Sequence, residues 1–235
     1  MDLNEFNSTL VELYDKLYTA DDIKRNQACS EALELIGKVE SESHKNDVRK
    51  MIVFHLLDAC RFIEALNCIE SMKQSDDYYY RIVGHFAAIE YYKRCDIANL
   101  EQTILDAQIL AEQSGHKADY AVCCLEHSKC LFQNGKYDDC IEVLGDVLVI
   151  AEELKNVRLE LSAKYYISLA LYRKGHKNMA LEMLREVTEK ACDVRSQHVA
   201  MFSEVKRAEI LREVGRGDEA LNIIKQWCDN YETQL

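Results

Sequence analysis

The sequence contains no proline, and it has only 8 glycines among its 235 residues. Proline breaks helix interiors and occurs mainly at turns and sheet edges. Folds rich in β-strands need many turns, where proline and glycine are both common. A chain that uses so little of either is therefore expected to form long α-helices joined by short polar links.

A basic patch and a long apolar segment are also missing. The net charge is −12, because 29 Lys and Arg are scattered among 41 Asp and Glu. Nucleic-acid-binding proteins carry a basic surface, so no nucleic-acid partner is expected. No stretch approaches the ~18 apolar residues of a membrane-spanning helix, and the acidic first twenty residues do not resemble a secretory signal. We therefore expect no membrane association and a cytoplasmic protein, with the nucleus as an alternative.

Internal repeats organise the chain. Segments that begin at Asn134, Lys174 and Val214 align without gaps, and their glycines Gly135, Gly175 and Gly215 are 40 residues apart. An earlier copy begins at Arg94, with Cys95 at the glycine position, and another begins at Cys60, after a shorter step of 35 residues. A half-match from Asp21 indicates a degenerate first unit.

Each repeat has columns of similar side chains. Small residues lie seven positions before the glycine position and five after it, and the two columns are expected to face each other across a helical hairpin. The first column is Ala88, Ser128, Ser168 and Ala208, and the second is Ala65, Cys140, Ala180 and Ala220, with Leu100 as the exception. Large apolar residues at helical spacing predict one buried face per helix. The glycine permits a positive φ where the first helix ends.

This pattern resembles the tetratricopeptide repeat (TPR) family, through the small–Leu–Gly spacing, Tyr137, and Ala180 and Ala220 in the second helices. The resemblance covers residues 44–230, with a longer period than the common ~34 residues and without the family's frequent proline. It implies an all-α superhelix of about five TPR-like hairpins in a single domain 1–235. The degenerate unit spans 1–43, and the repeats span 44–76, 77–116, 117–156, 157–196 and 197–235.

The resemblance implies a non-catalytic protein-binding scaffold or adaptor whose first helices line a concave groove. Aromatic and Arg side chains are favoured anchors, so an extended or helical peptide with apolar and some acidic groups suits this face. Alternatively, several of these aromatic residues only pack one helix on the next. The groove positions are Lys50, Phe54, His85, Ile89, Tyr92, Lys129, Phe132, Tyr165, Leu169, Tyr172, Arg173, Glu209 and Arg212.

The last repeat predicts a second interface. Trp227 occupies the column of Ala107, Val147 and Val187, which faces the following repeat. An array needs a polar cap at its end, so this C-terminal seam is expected to meet a longer chain, a homodimer partner or another subunit. The alternative is a tryptophan that its own hairpin half covers.

No sequence feature favours catalysis, a metal or another cofactor. Cys123, His127 and Cys130 share one side of a helix and suit zinc. Ala163, Ile167 and Ala170 fill the same positions one repeat later, which favours plain packing. The 10 cysteines are expected to be reduced thiols that pack like small hydrophobic residues. Two alternative functions remain open, a peptide-sensing regulator and a 14-3-3-like phosphopeptide-binding dimer.

Overall fold

The computed structural model describes residues 2–232, with side chains through Trp227. Over these residues the chain forms twelve α-helices and no β-strand, so the predicted all-α fold is confirmed. None of the described helices has the length and apolar character to cross a bilayer. In chain order the helices are α1 (Leu3–Leu17), α2 (Asp22–Lys38), α3 (Glu42–Asp58), α4 (Phe62–Lys73), α5 (Tyr78–Cys95), α6 (Leu100–Gln113), α7 (Lys117–Gln133), α8 (Tyr137–Glu153), α9 (Val157–Arg173), α10 (Lys177–Asp193), α11 (Gln197–Glu213) and α12 (Gly217–Glu232), with a 3-10 turn at Ile97–Asn99.

The chain divides into two compact units, residues 1–115 and 116–235. Helices α1–α6 belong to unit 1 and α7–α12 to unit 2. Within each unit, every helix packs on the helix that follows it, so the helices form hairpins in a row. Helices α1 and α2 lie in the segment that we predicted as the degenerate first repeat.

Glycines terminate the first helices of unit 2. Gly135, Gly175 and Gly215 have φ of 76°, 88° and 81°. Helix α7 shows the reason, because the Gly135 amide donates to the Phe132 carbonyl and the Lys136 amide donates to the Leu131 carbonyl. This pair of bonds satisfies carbonyls that the helix end leaves free, and it needs a left-handed residue. The glycine therefore closes each hairpin tightly.

The glycine column behaves differently in unit 1. Cys60 adopts the positive φ of 58° that a glycine takes in the later repeats. The helix end at Cys95 is different, because α5 runs through Cys95 and its C-terminal cap residue, Asp96, has φ −155°. The 3-10 turn then leads directly into α6, so this hairpin closes without a left-handed residue.

The core of unit 2 contains both the columns of small residues and the columns of large apolar residues. Ser128, Ser168, Cys140 and Ala180 are fully buried, as the small-residue columns predict. The Ser128 hydroxyl donates to the Leu125 carbonyl over 2.7 Å, which satisfies its buried oxygen. One continuous cluster joins these columns to the large apolar ones, including Leu131, Leu144, Leu171, Leu184 and Leu211. Each buried leucine contributes roughly 2 kcal/mol, so this cluster dominates the stability of the unit.

Unit 1 has its own core, which runs from Phe6 in α1 to Ala88 in α5. Leu56, Ile69 and Met72 are fully buried in it. Helices α4 and α5 approach closely at Gly84, where an added Cβ would lie 2.9 Å from the backbone nitrogen of Lys73. A side chain at position 84 would separate the two helices.

Candidate functional site

The first helices of unit 2 share a surface. Helix α9 packs against α7 on one side and α11 on the other. The Lys129 ammonium of α7 lies 5.5 Å from the ring centroid of Tyr166 in α9. The Tyr172 hydroxyl of α9 donates to the Glu213 carboxylate of α11 over 2.6 Å. We call the predicted groove surface of these helices the first-helix face. Its predicted residues are Lys129, Phe132, Tyr165, Leu169, Tyr172, Arg173, Glu209 and Arg212.

Half-buried aromatic rings anchor the face. Phe132 and Tyr165 pack against the main core cluster of unit 2. The ring of Tyr165 meets Tyr166 edge to face, with centroids 5.5 Å apart. Burial raises the pKa of Tyr165, and the nearby Tyr166 and Glu209 raise it further. These rings are uncharged at physiological pH and form the apolar base of the face, which we call the aromatic floor. A ligand can contact the exposed edges of the rings.

Tyr172 forms the polar part of this floor. Its hydroxyl bonds to Glu213, and the Lys177 ammonium contacts the same carboxylate over 3.3 Å. The hydrogen bond to Glu213 raises the pKa of Tyr172, and the same bond lowers the pKa of Glu213. The Arg173 guanidinium lies 6.0 Å from the Tyr172 ring centroid. Tyr172 thus links α9 to α11 through its hydroxyl, and its ring forms a cation–π contact with the Arg173 guanidinium.

Charged groups border the aromatic residues, and some are already paired. The Lys129 ammonium contacts the Glu126 carboxylate over 2.5 Å. Glu209 pairs with Lys206 over 2.6 Å in the same helix. Arg173 and Arg212 are exposed, so their guanidinium groups are accessible to an acidic ligand. The face therefore offers apolar contact area together with two accessible cations.

The predicted groove residues of unit 1 are less uniform. Lys50 donates to the Tyr79 hydroxyl over 3.2 Å and also lies 5.0 Å above its ring. Phe54 is 39% exposed and Tyr92 is half-buried. Ile89 is only 1% exposed, so we leave it out of the proposed binding surface. The spacing along α5 predicted on which face of the helix Ile89 lies. It did not predict that neighbouring residues bury this side chain.

His85 is a half-buried titratable group in α5. Its Nδ1 atom has no hydrogen-bond partner among the described residues. Burial lowers the pKa of His85 to about 4, and the positive charges of Lys73 and Arg81 act in the same direction. The imidazole is therefore neutral at pH 7 and presents no charge to a ligand.

Trp227 is half-buried in α12. Its ring packs against a small cluster of Leu161, Val187, Ala191 and Ala200 within unit 2. Part of the indole is accordingly covered by the chain itself. The predicted C-terminal seam therefore depends on the other residues of the last hairpin.

Sequence reasoning missed three residues of these surfaces, Tyr79, Tyr166 and Glu213. Tyr79 and Tyr166 each pack against a predicted lysine. Glu213 follows Tyr172 by 41 residues, one repeat period plus one position. Searching for complementary polar pairs one period apart would have found this contact, because equivalent positions of successive helices lie side by side in a repeat stack.

The cysteines behave mainly as core residues. Cys29, Cys68, Cys123, Cys124, Cys130 and Cys140 are buried, while Cys60, Cys95 and Cys192 are exposed. Burial raises the pKa of Cys123 to about 12, so its thiol stays protonated. Among the described residues no group of three His, Cys, Asp or Glu is arranged to hold a metal ion.

Comparison with known proteins defines the fold. The sequence matches no family model and no curated protein. Among solved structures, the apo form of RapI is similar over 94% of this chain and 99% of RapI, with 12% identity and a TM-score of 0.72. A signal transduction ATPase with a tetratricopeptide repeat sensor, from Pyrococcus horikoshii, matches 97% of this chain at 12% identity and a TM-score of 0.75. The chain spans 35% of that ATPase.

A third similar structure is Bacillus thuringiensis PlcR in complex with the peptide PapR7 and DNA. It matches 92% of this chain and 83% of PlcR, with 17% identity and a TM-score of 0.60. At such low identities these likenesses establish the fold alone. The fold is that of TPR-like helical repeat proteins, which confirms the predicted resemblance.

Proposed function

We propose that this protein is a non-catalytic adaptor that binds a peptide segment of another protein on the first-helix face. The observation that carries the proposal is the row of half-buried rings of Phe132, Tyr165 and Tyr172 beside the exposed guanidinium groups of Arg173 and Arg212. Rigid aromatic residues give apolar contact at low entropic cost. The cations suit an acidic group on the same peptide.

The fold supports a peptide ligand. One similar structure, PlcR, is a complex with a peptide, and repeat proteins offer extended surfaces of this type. The 14-3-3-like alternative has less support, because the solved structures that this chain resembles are TPR-like repeat proteins. No cofactor is needed for this function, and a protein or peptide is the proposed partner.

The experiment is affinity capture from the native cell with the full-length chain, followed by mass spectrometry. Reversing one charge of the face, Arg173→Glu, is expected to remove the specific partner from the captured set. Lys136→Glu is the matched control, because Lys136 is an exposed cation in the turn after α7. Equal capture by both variants would refute binding at this face.

A peptide-sensing regulator is the second candidate, and the PlcR complex with its peptide is the observation that favours it. The two functions differ in how far the effect of the ligand extends. Hydrogen exchange with and without the captured peptide distinguishes them. An adaptor predicts protection confined to α7, α9 and α11, whereas a sensor predicts changes in helices that do not contact the peptide.

A further inference from the structure

The last hairpin has an apolar groove on the side that no later helix covers among the described residues. It has a volume of about 580 Å³ and lies between α11 and α12. We call it the open face. Its main lining residues are Val205, Glu209, Arg212, Ala220, Leu221 and Ile224.

Comparison with the preceding repeat shows what this surface normally does. Leu221 and Ile224 are 51% and 42% exposed. Their equivalents one period of 40 residues earlier, Leu181 and Leu184, are only 8% and 0% exposed. Leu181 and Leu184 belong to the core cluster that also contains Ile210 and Leu211 of α11. The same surface is thus a buried helix-packing interface in one repeat and a solvent-exposed groove in the next.

The preceding repeat also shows the chemistry of the covering helix. There, α11 supplies apolar residues together with Glu213, whose carboxylate accepts from Tyr172 and Lys177. Arg212 occupies the position of Tyr172 one period later. It is exposed, and no hydrogen bond or ion pair of the described side chains holds its guanidinium, whose charge acts only at longer range on the neighbouring Glu213 carboxylate. A helix equivalent to α11 would bring a carboxylate to this guanidinium.

We propose that the open face binds an amphipathic helix of a partner protein, which carries an apolar stripe and an acidic residue at the position equivalent to Glu213. The apolar stripe covers Leu221 and Ile224, and the carboxylate pairs with Arg212. This site is separate from the aromatic floor of the first-helix face and shares only its edge residues Glu209 and Arg212. It does not depend on the proposed peptide site.

The probe is a fluorescein-labelled synthetic hairpin with the sequence of residues 197–232, titrated into the full-length chain and followed by fluorescence anisotropy. It is expected to bind saturably. Leu221→Asp in the chain should abolish binding, and Arg212→Gln should weaken it about tenfold, as expected for loss of a charge-assisted hydrogen bond. Ile63→Asp is the matched control, because Ile63 is an 80% exposed apolar residue in unit 1.

A probe that carries Glu213→Gln identifies the paired charge. It should bind the unaltered chain about tenfold more weakly and be insensitive to Arg212→Gln, since the two changes remove one interaction. Absence of binding by a probe that circular dichroism shows to be helical, or equal losses with Ile63→Asp, would overturn the proposal. Sedimentation of the chain without probe gives the last check. A dimer that Leu221→Asp dissociates would show a second copy as the occupant and would also overturn it.

Both sites can be tested independently. Arg173→Glu alters the first-helix face and should leave hairpin binding intact. Leu221→Asp alters the open face and should leave capture through the first-helix face intact.

Discussion

Left-handed residues that are not glycine close two turns of unit 2. Lys155 and Arg195 have φ of 52° and 58°, and they follow the second helices α8 and α10. For a residue with a side chain, this conformation costs about 1–2 kcal/mol of folding free energy. Substitution by glycine removes this cost, but part of the gain is lost because glycine increases the conformational entropy of the unfolded chain. We expect Arg195→Gly to stabilise the protein by about 0.5 kcal/mol, measured by urea denaturation.

Gly175→Ala provides the opposite change at an equivalent turn, where φ is 88°. It should destabilise the protein by about 1 kcal/mol. Lys136→Gly, at a turn position with an ordinary negative φ of −83°, should give no gain. If Arg195→Gly lowered stability as much as Gly175→Ala does, the left-handed conformation would not be the cause.

His85 predicts a specific dependence of stability on pH. Its pKa is about 4 in the folded protein and about 6.5 when unfolded. The unfolded state therefore binds more protons between these values, so stability is lost as pH falls from about 6.5 to 4 and is level above that window. The expected loss is on the order of 1–2 kcal/mol after allowance for solvent screening.

His85→Leu tests this directly, because it replaces an imidazole whose buried nitrogen has no partner among the described residues. Urea unfolding at several pH values should show similar stability at pH 7 and a shallower loss towards pH 4 for the variant. An unchanged difference between the two proteins across this range would contradict the prediction.

At the scale of helices, the contact between α4 and α5 depends on Gly84. A Cβ there would lie 2.9 Å from the Lys73 nitrogen and 3.1 Å from the Met72 Cβ. Because backbone atoms of α4 must move, Gly84→Ala should destabilise the protein by about 1–3 kcal/mol. Gly145→Ala is the matched control. It lies inside α8 with no atom within 4 Å, so higher helix propensity should stabilise the protein by up to about 1 kcal/mol.

Both variants are compared by thermal unfolding monitored by circular dichroism. Opposite shifts in Tm from the same chemical change would establish the close helix approach at Gly84. Equal shifts would show that helix propensity alone determines the effect.

Periodicity predicted the helices, the hairpins and the small-residue columns, because each depends on spacing within the chain. It predicted the turns at Gly135, Gly175 and Gly215 for the same reason. It missed Lys155 and Arg195, since their left-handed conformation is imposed by the turn and has no glycine to mark it. Ile89 and Trp227 show the corresponding limit for the site. Spacing assigns a residue to one face of a helix, but packing decides how much of it stays exposed.

For the whole molecule, the presence of a hydrophobic core within each compact unit raises the question of how the chain unfolds. The core of unit 1 extends from Phe6 to Ala88, and the main core of unit 2 extends from Ala121 to Ala220. The repeats predicted a single domain 1–235. Because repeat stability is a sum of local terms, a unit with a complete core is expected to fold by itself.

We expect residues 116–235, expressed alone, to form a helical protein with a cooperative urea transition. Far-ultraviolet circular dichroism measures its helix content, and Leu184→Ala provides a matched variant with a cavity in the main core of the unit. This variant should lower the transition midpoint, with a free-energy cost of about 2–5 kcal/mol, in both the fragment and the full-length chain. An unstructured fragment would instead show that its core forms only within the intact chain, as a single cooperative domain requires.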